Sequence, residues 1–261
     1  VNKLDQDQSE SGAAPKVPVT RRQLLNMAGV GALGLAIGGS VPSSVAAGST
    51  GGNGGCGPVT PEGEIGPFFA DDSAKGFNRR KVVANVDGSN PQHGIPLTLK
   101  LTVYDTQNAC APVKGAQLDI WHCNAEGLYS DEESQSTAGQ TYLRGYQLTD
   151  AHGMATFETI FPGWYPGRTT HIHLRVRSKY SETSSPDDGS NTTQLFFPQA
   201  VVDHINSSIA PYNRHGRAFT TNASDHVYDG ETHAQMLVSL SGSVETGFTA
   251  TAAIYLPITS E

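Results

Sequence analysis

Residues 97–105 alternate strictly, with Leu97, Leu99, Leu101 and Val103 on one face and Thr98, Lys100, Thr102 and Tyr104 on the other. A period of two is the signature of a half-buried strand. The pattern returns after a turn at Gly115, where Ala116, Leu118 and Ile120 oppose Gln117, Asp119 and Trp121. It returns again around Tyr146 and Leu148, over residues 154–160, and in Ile172, Leu174 and Val176 set against His171, His173, Arg175 and Arg177. A short strand is expected around Gln194, and a final one carries Phe248, Ala250, Ala252, Ile254 and Leu256. Turn residues punctuate the runs: 124–127, Asp150 to Gly153, and Pro162-Gly163. Residues 58–90 show little periodicity and are expected to form a long ordered loop. A polar loop follows the histidine strand, and an irregular stretch leads to Tyr228, with one or two helical turns over 201–208. Short strands at regular spacing with so little helical period predict an all-β fold, a β-sandwich with long ordered loops and little helix.

The first part of the chain does not share this pattern. Arg21 and Arg22 precede a weakly apolar run over 27–41 that is rich in Gly and Ala, and Val45-Ala46-Ala47 then offers small residues for cleavage. That order is expected of a twin-arginine export signal, because a bilayer span needs about 20 predominantly apolar residues. The organisation expected is therefore an export signal over 1–47, a Gly-rich linker over 48–55 and one folded domain over 56–261. Export by the twin-arginine route implies a secreted or periplasmic protein with no membrane attachment in its mature form.

The chain carries 17 Lys and Arg against 25 Asp and Glu, a net charge of −8. Loss of the signal makes the balance more acidic still. With no basic run, such a surface repels phosphate backbones, so nucleic acid is excluded as a partner and a small ligand remains. Three cysteines follow the signal. Pairing Cys56 with Cys110 would tie the loose start of the domain to its first hairpin and leave Cys123 a buried free thiol; spacing alone leaves the other pairings open.

The chemistry concentrates in 161–177. Side chains two apart on a strand point the same way, so His171 and His173 offer two imidazoles to one point, and the preceding turn can bring Tyr165 there. Tyr129, just past the turn at 124–127, stands in a comparable place. Imidazole suits several metals, whereas phenolate is a hard anionic donor that favours a high charge such as Fe(III). Asp119 and Glu126 have no spacing comparable to a carboxylate ligand, and zinc would leave the tyrosines unexplained.

The chain resembles the intradiol ring-cleavage dioxygenases, in particular their secreted single-domain branch. The resemblance rests on Val59-Thr60-Pro61-Glu62 with Gly66-Pro67-Phe68-Phe69, on the run from Asp119-Ile120-Trp121-His122 to Gly127-Leu128-Tyr129-Ser130, and on Phe161-Pro162-Gly163-Trp164-Tyr165-Pro166 with Arg168 and His171-Ile172-His173. Weaker echoes lie at Pro211-Tyr212-Asn213 and Thr221-Asn222-Ala223-Ser224-Asp225.

The resemblance implies a non-haem Fe(III) held by Tyr129, Tyr165, His171 and His173. It places Arg168 and Gln194 beside a catechol that is opened by O₂ between its hydroxyl-bearing carbons to a muconate-type diacid. It also implies that Tyr165 leaves the metal when substrate binds while Tyr129 stays. The gap from Tyr165 to His171 is shorter than in several relatives, which suggests an open mouth suited to plant-derived or lignin-derived catechols. The competing expectation is a secreted β-sandwich binding or adhesion module, since the strand and turn scheme of 115–165 also occurs in such domains without His171 and His173.

Overall fold

The computed structural model describes residues 56–70, 75–177, 191–214, 219–228, 230 and 232–258. The expected export signal, the linker and the polar loop after the histidine strand lie outside the described residues.

Among the described residues nine strands form two sheets. In chain order they are β1 (Pro96–Asp105), β2 (Ala111–Pro112), β3 (Gln117–Trp121), β4 (Arg144–Leu148), β5 (Met154–Ile160), β6 (His171–Arg177), β7 (Asn191–Phe196), β8 (Ser239–Ser243) and β9 (Gly247–Leu256). One sheet runs β2-β1-β9-β8, with β5 also paired to β1; the other runs β4-β3-β6-β7. All pairings are antiparallel except that of β1 with β9, where Leu97 faces Phe248 and Asp105 faces Leu256 in parallel register. The sandwich expected from the alternation is the architecture found.

The core between the sheets is built from the inward sets of each strand: Leu97, Leu99, Leu101 and Val103 of β1, Leu118 and Ile120 of β3, and Ile172, Leu174 and Val176 of β6, all essentially inaccessible. Burying a side chain of this size is worth about 1.5–3 kcal/mol, so this layer carries the sandwich. The stretch before Tyr228 holds more order than the sequence suggests, because α1 (Gln199–Ser208) is a helix of 10 residues that buries Val202 and Ile205.

The polar faces of β3 and β6 are buried too. A strap of chain over 59–69 crosses the outer face of the second sheet from β7 to β4. Thr60 exchanges hydrogen bonds with Tyr255 of β9, at 2.8 Å from its N–H and 2.9 Å to its hydroxyl. Gly63 N–H donates to Thr192 O at 2.8 Å, and Arg144 Nη1 donates to Phe68 O at 2.7 Å. Beneath the strap Asp119 sits between Gln117 and Arg177, and the Arg175 guanidinium lies over the Phe69 ring. Cys56 is bonded to Cys110, which anchors the start of the strap to the β1–β2 hairpin, and Cys123 is free and buried. Among the described residues no helix is long and apolar enough to cross a membrane.

Candidate metal centre

A second, smaller hydrophobic cluster lies outside the main core: Trp121, Cys123 and Tyr129, with Phe68, Phe69 and Tyr165 packed on it. It surrounds the point where the four expected donors meet. His171 and His173 come from β6, whose period of two aims both rings under the strap. The two tyrosines come from loops that interlock. Asn124 folds the turn, its Oδ1 accepting from the N–H groups of Glu126 and Leu128 at 3.0 and 2.9 Å. Gly127, at φ +82°, sits where a Cβ would strike Trp164 O, and a Cβ on Gly163 would strike Asn124 O. These two glycines let the turn at 124–127 and the loop at 161–165 pack back to back, so that Tyr129 and Tyr165 emerge side by side, ring centroids 5.7 Å apart.

The donor atoms converge. His171 Nε2 lies 3.1 Å from His173 Nε2, 3.4 Å from the Tyr129 hydroxyl and 3.3 Å from the Tyr165 hydroxyl. His171 Nδ1 meets Thr169 O at 2.6 Å. A carbonyl only accepts, so the proton is assigned to Nδ1 and the Nε2 lone pair faces the cluster. Trp121 stacks on His173 at 4.8 Å and 6°, and Phe68 stacks on Tyr129 at 4.3 Å and 21°. Tyr129 is fully buried, its N–H held by Gln135 Oε1 and its carbonyl by Thr137 Oγ1, both at 2.6 Å. Tyr165 is half-buried.

Burial sets the protonation of the free donors. It pulls His171 down to about 3, helped by the charge of Arg168, and holds His173 well below the ordinary imidazole range with His171 as the second cause. It pushes the Tyr165 phenol up to about 12 and holds Tyr129 well above the ordinary phenol range, the neighbouring Tyr165 adding to the latter. Neutral imidazoles are the ligating form, whereas a phenol must lose its proton to ligate. Buried donors crowded this closely, two imidazole nitrogens facing each other among hydroxyls, would be completed by a cation that replaced the phenolic protons. The residues therefore fit a metal ion of high charge. Among the described residues no group of three or more His, Cys, Asp or Glu could hold one, because half of this donor set is tyrosine.

Arg168 and Gln194 also meet, as a hydrogen bond from Arg168 Nη2 to Gln194 Oε1. Gln194 Nε2 donates to Glu64 O of the strap at 2.9 Å. Sequence reasoning quoted Asp225 and Phe68 in motifs but gave neither a role; Asp225 binds Arg168 Nε at 3.0 Å and Phe68 stacks on Tyr129. Asp225 lies 57 residues from Arg168, beyond any local spacing. Phe68 could have been found from its motif, since an apolar residue in an irregular segment needs a surface to cover. Cys123, its thiol pushed up to about 12 by burial, is inert packing here.

A family model described as Dioxygenase (Dioxygenase_C) matches residues 65–212. Catechol 1,2-dioxygenase of Candida albicans is 33% identical over 132 residues, 43% of this chain and 41% of that protein, so the match spans less than half the length of that relative. The solved intradiol ring-cleavage dioxygenase of Tetranychus urticae superposes with a TM-score of 0.63 at 26% identity, covering 78% of this chain and 97% of that one. The dioxygenase domain of a dioxygenase carbohydrate-binding protein fusion from the cellulolytic bacterium Streptomyces sp. SirexAA-E does so with a TM-score of 0.53 at 29% identity, covering 77% of this chain and all of that domain. By sequence and by fold, the chain belongs to the intradiol ring-cleavage dioxygenase family.

Proposed function

We propose that this protein is a non-haem Fe(III) dioxygenase that opens catechol-type rings between the two hydroxyl-bearing carbons, taking up one O₂ and giving a muconate-type diacid. The observation that carries the reading is the convergence of His171, His173, Tyr129 and Tyr165 on one buried point. Both oxygen atoms of O₂ end in the two new carboxyl groups, so the reaction needs no external reductant. Fe(III), when bound, supplies a Lewis acid that draws electron density from a catechol dianion and makes the ring reactive toward O₂.

The chain's own residues supply the rest. A catechol sheds two protons to bind as a dianion, and Tyr165, released as a phenolate, is a base strong enough to keep one. Tyr129, locked by Gln135, Thr137 and the Phe68 stack, has no such freedom and holds its place. Arg168 and Gln194 form a rigid polar wall beside the donors, and the charge of Arg168 is felt at all four of them. Phe68, Phe69 and Trp121 exclude water from the other side.

The test is direct. Protein purified with bound iron should be coloured by phenolate-to-Fe(III) charge transfer, and catechol should be consumed with one O₂ per diacid formed. A colourless protein with no iron after reconstitution, or ring opening next to rather than between the hydroxyls, refutes the reading. Export is the second part of the proposal: the twin-arginine route carries folded proteins, so Arg21→Lys with Arg22→Lys should leave coloured enzyme inside the cell. Undiminished secretion of that double variant removes it. An exported enzyme of this kind suits plant-derived or lignin-derived catechols.

A further inference from the structure

Asp225 closes a short 3-10 turn, residues Asn222–Ser224, that packs against the entry to β6. Its side chain is buried and receives four donors. Oδ2 accepts from Arg168 Nε at 3.0 Å and from the Thr169 N–H at 2.6 Å; Oδ1 accepts from the N–H groups of Val227 and Tyr228, each at 2.9 Å. Asn222 adds a second tie, its Oδ1 taking the Thr169 hydroxyl at 2.7 Å. Burial alone would raise the Asp225 carboxyl, but hydrogen bonds from Arg168, Thr169 and Tyr228 outweigh it and hold the group below the ordinary carboxylate range. Asp225 is therefore an anion at any working pH.

Two consequences follow for Arg168. Its guanidinium is gripped at Nε by Asp225 and at Nη2 by Gln194, so the plane is fixed and the remaining nitrogen, Nη1, has no protein partner among the described residues. Its charge is also balanced where it stands, by a carboxylate whose side chain is wholly inaccessible. A cation with an anion 3.0 Å behind it presents a dipole to a ligand, and the attraction of a dipole for a distant charge falls off much faster than that of a free cation.

The other arginines under the strap are engaged: Arg144 with Ser130 and Phe68 O, Arg175 on the Phe69 ring, Arg177 with Asp119. At the edge of the site the strap contributes the exposed carboxylate of Glu64, whose backbone carbonyl Gln194 already holds; the imidazole of His226 stands 3.9 Å from it. A carboxylate on an incoming ring finds no unbalanced arginine among these and an anion at the rim.

We propose that Asp225 is the positioning residue of Arg168, and that the neutral pair they form selects catechols without a ring carboxylate. The inference rests on the dioxygenase reading above and narrows its substrate class.

The iron-loaded wild-type enzyme is assayed by O₂ uptake with 4-methylcatechol and 3,4-dihydroxybenzoate, which differ in charge at nearly equal size. The expected kcat/KM is at least about tenfold higher for the methyl compound, a difference within reach of one unbalanced charge at short range; equal or reversed preference overturns the selection. Asp225→Asn keeps the shape and removes the charge. It should narrow the preference about tenfold, mainly through a lower KM for the carboxylate substrate, while kcat falls for both as Arg168 loosens. A proportional fall for both substrates assigns Asp225 a structural role only and overturns the proposal. Asp225→Glu keeps the charge and should keep the preference; if it relaxes the preference as Asn does, the charge argument fails.

Thermal unfolding of the metal-free proteins reads the clamp apart from activity. Asp225→Asn should unfold several degrees lower, and an unchanged Tm shows that no clamp exists. Should the Asn variant not accumulate as folded protein, the wild-type ratio and Asp225→Glu decide. An iron-loaded wild type that opens neither ring refutes the dioxygenase reading itself, a result distinct from one that opens both equally well.

Discussion

Gly127 lies directly against the carbonyl of Trp164, in a backbone conformation of φ +82°. That contact joins the loop carrying Tyr129 to the loop carrying Tyr165. Gly127→Ala adds a methyl where no space exists and a side chain where the backbone disfavours one, at a cost of about 2–4 kcal/mol. The expected outcome is a lower Tm together with loss of most bound iron, read by thermal unfolding and metal analysis. A variant that keeps both unchanged disproves the interlock.

The two tyrosines should separate by mutation. Tyr129 is fully buried and held at its backbone from both sides, whereas Tyr165 is half-buried. Tyr165→Phe is expected to retain iron and bind catechols but to turn over on the order of a hundredfold more slowly, the size usual for loss of a general base. Tyr129→Phe should lose most colour in both the resting enzyme and its substrate complex. Stopped-flow spectra under nitrogen, followed by mixing with O₂, compare them; wild-type turnover by Tyr165→Phe would remove its role as base.

His122 gives the metal-free protein an acid limit. Its Nδ1 donates to Cys123 O at 2.8 Å and its Nε2 accepts from the Thr159 hydroxyl at 2.7 Å, with no carboxylate near either nitrogen among these contacts. Burial lowers its pKa from 6.5 to about 4, a difference worth roughly 3 kcal/mol between folded and unfolded chains. A base depressed by folding takes its proton more readily when unfolded. Its contribution is therefore whole above pH 6.5 and is lost as pH falls toward about 4. Urea unfolding of the metal-free protein across that window should show stability dropping with acid, and His122→Gln should flatten the slope. An unchanged slope in the variant would assign the acid sensitivity elsewhere, His171 being the next group to test.

The bond between Cys56 and Cys110 spans 54 residues. Closing a loop of that size stabilises a folded chain by ~2–5 kcal/mol in the chain-entropy account. Cys56→Ser with Cys110→Ser is expected to lower Tm by several degrees and to loosen the strap, which follows Cys56 in the chain. Hydrogen exchange should then rise at Gly63 and around Phe68 before it rises in β6; uniform change across the domain would argue that the bond does not act through the strap.

Much of the centre was legible because its chemistry is local. His171 and His173 share a face through the period of one strand, and Tyr165 and Tyr129 sit at the turns flanking it and β3. The alternation of β3 and β6 marked two faces without revealing that both are covered, since the cover is the irregular segment 59–69, which has no period to read. The strand β8, Ser-Leu-Ser-Gly-Ser, was not foreseen: it holds one apolar residue and exists through its pairing with β9. Asp225 was quoted in a motif but had no assigned partner, because its bond to Arg168 is made by the fold and not by spacing.

The parallel pairing of β1 with β9 sets an order of assembly. β1 sits between β5 and the last strand of the domain, and Thr60, where the strap begins, is held by Tyr255 of that same last strand. On a ribosome, β6 and both tyrosine loops are made some 80 residues before Tyr255 appears, at a synthesis rate of about 5–20 residues per second. For those seconds the nascent chain holds all four donors while the strap still lacks its hydrogen bonds to Tyr255. Contacts between residues so far apart in sequence form late. The two hydrogen bonds between Thr60 and Tyr255 are therefore the last of the strap's fastenings for which a partner exists.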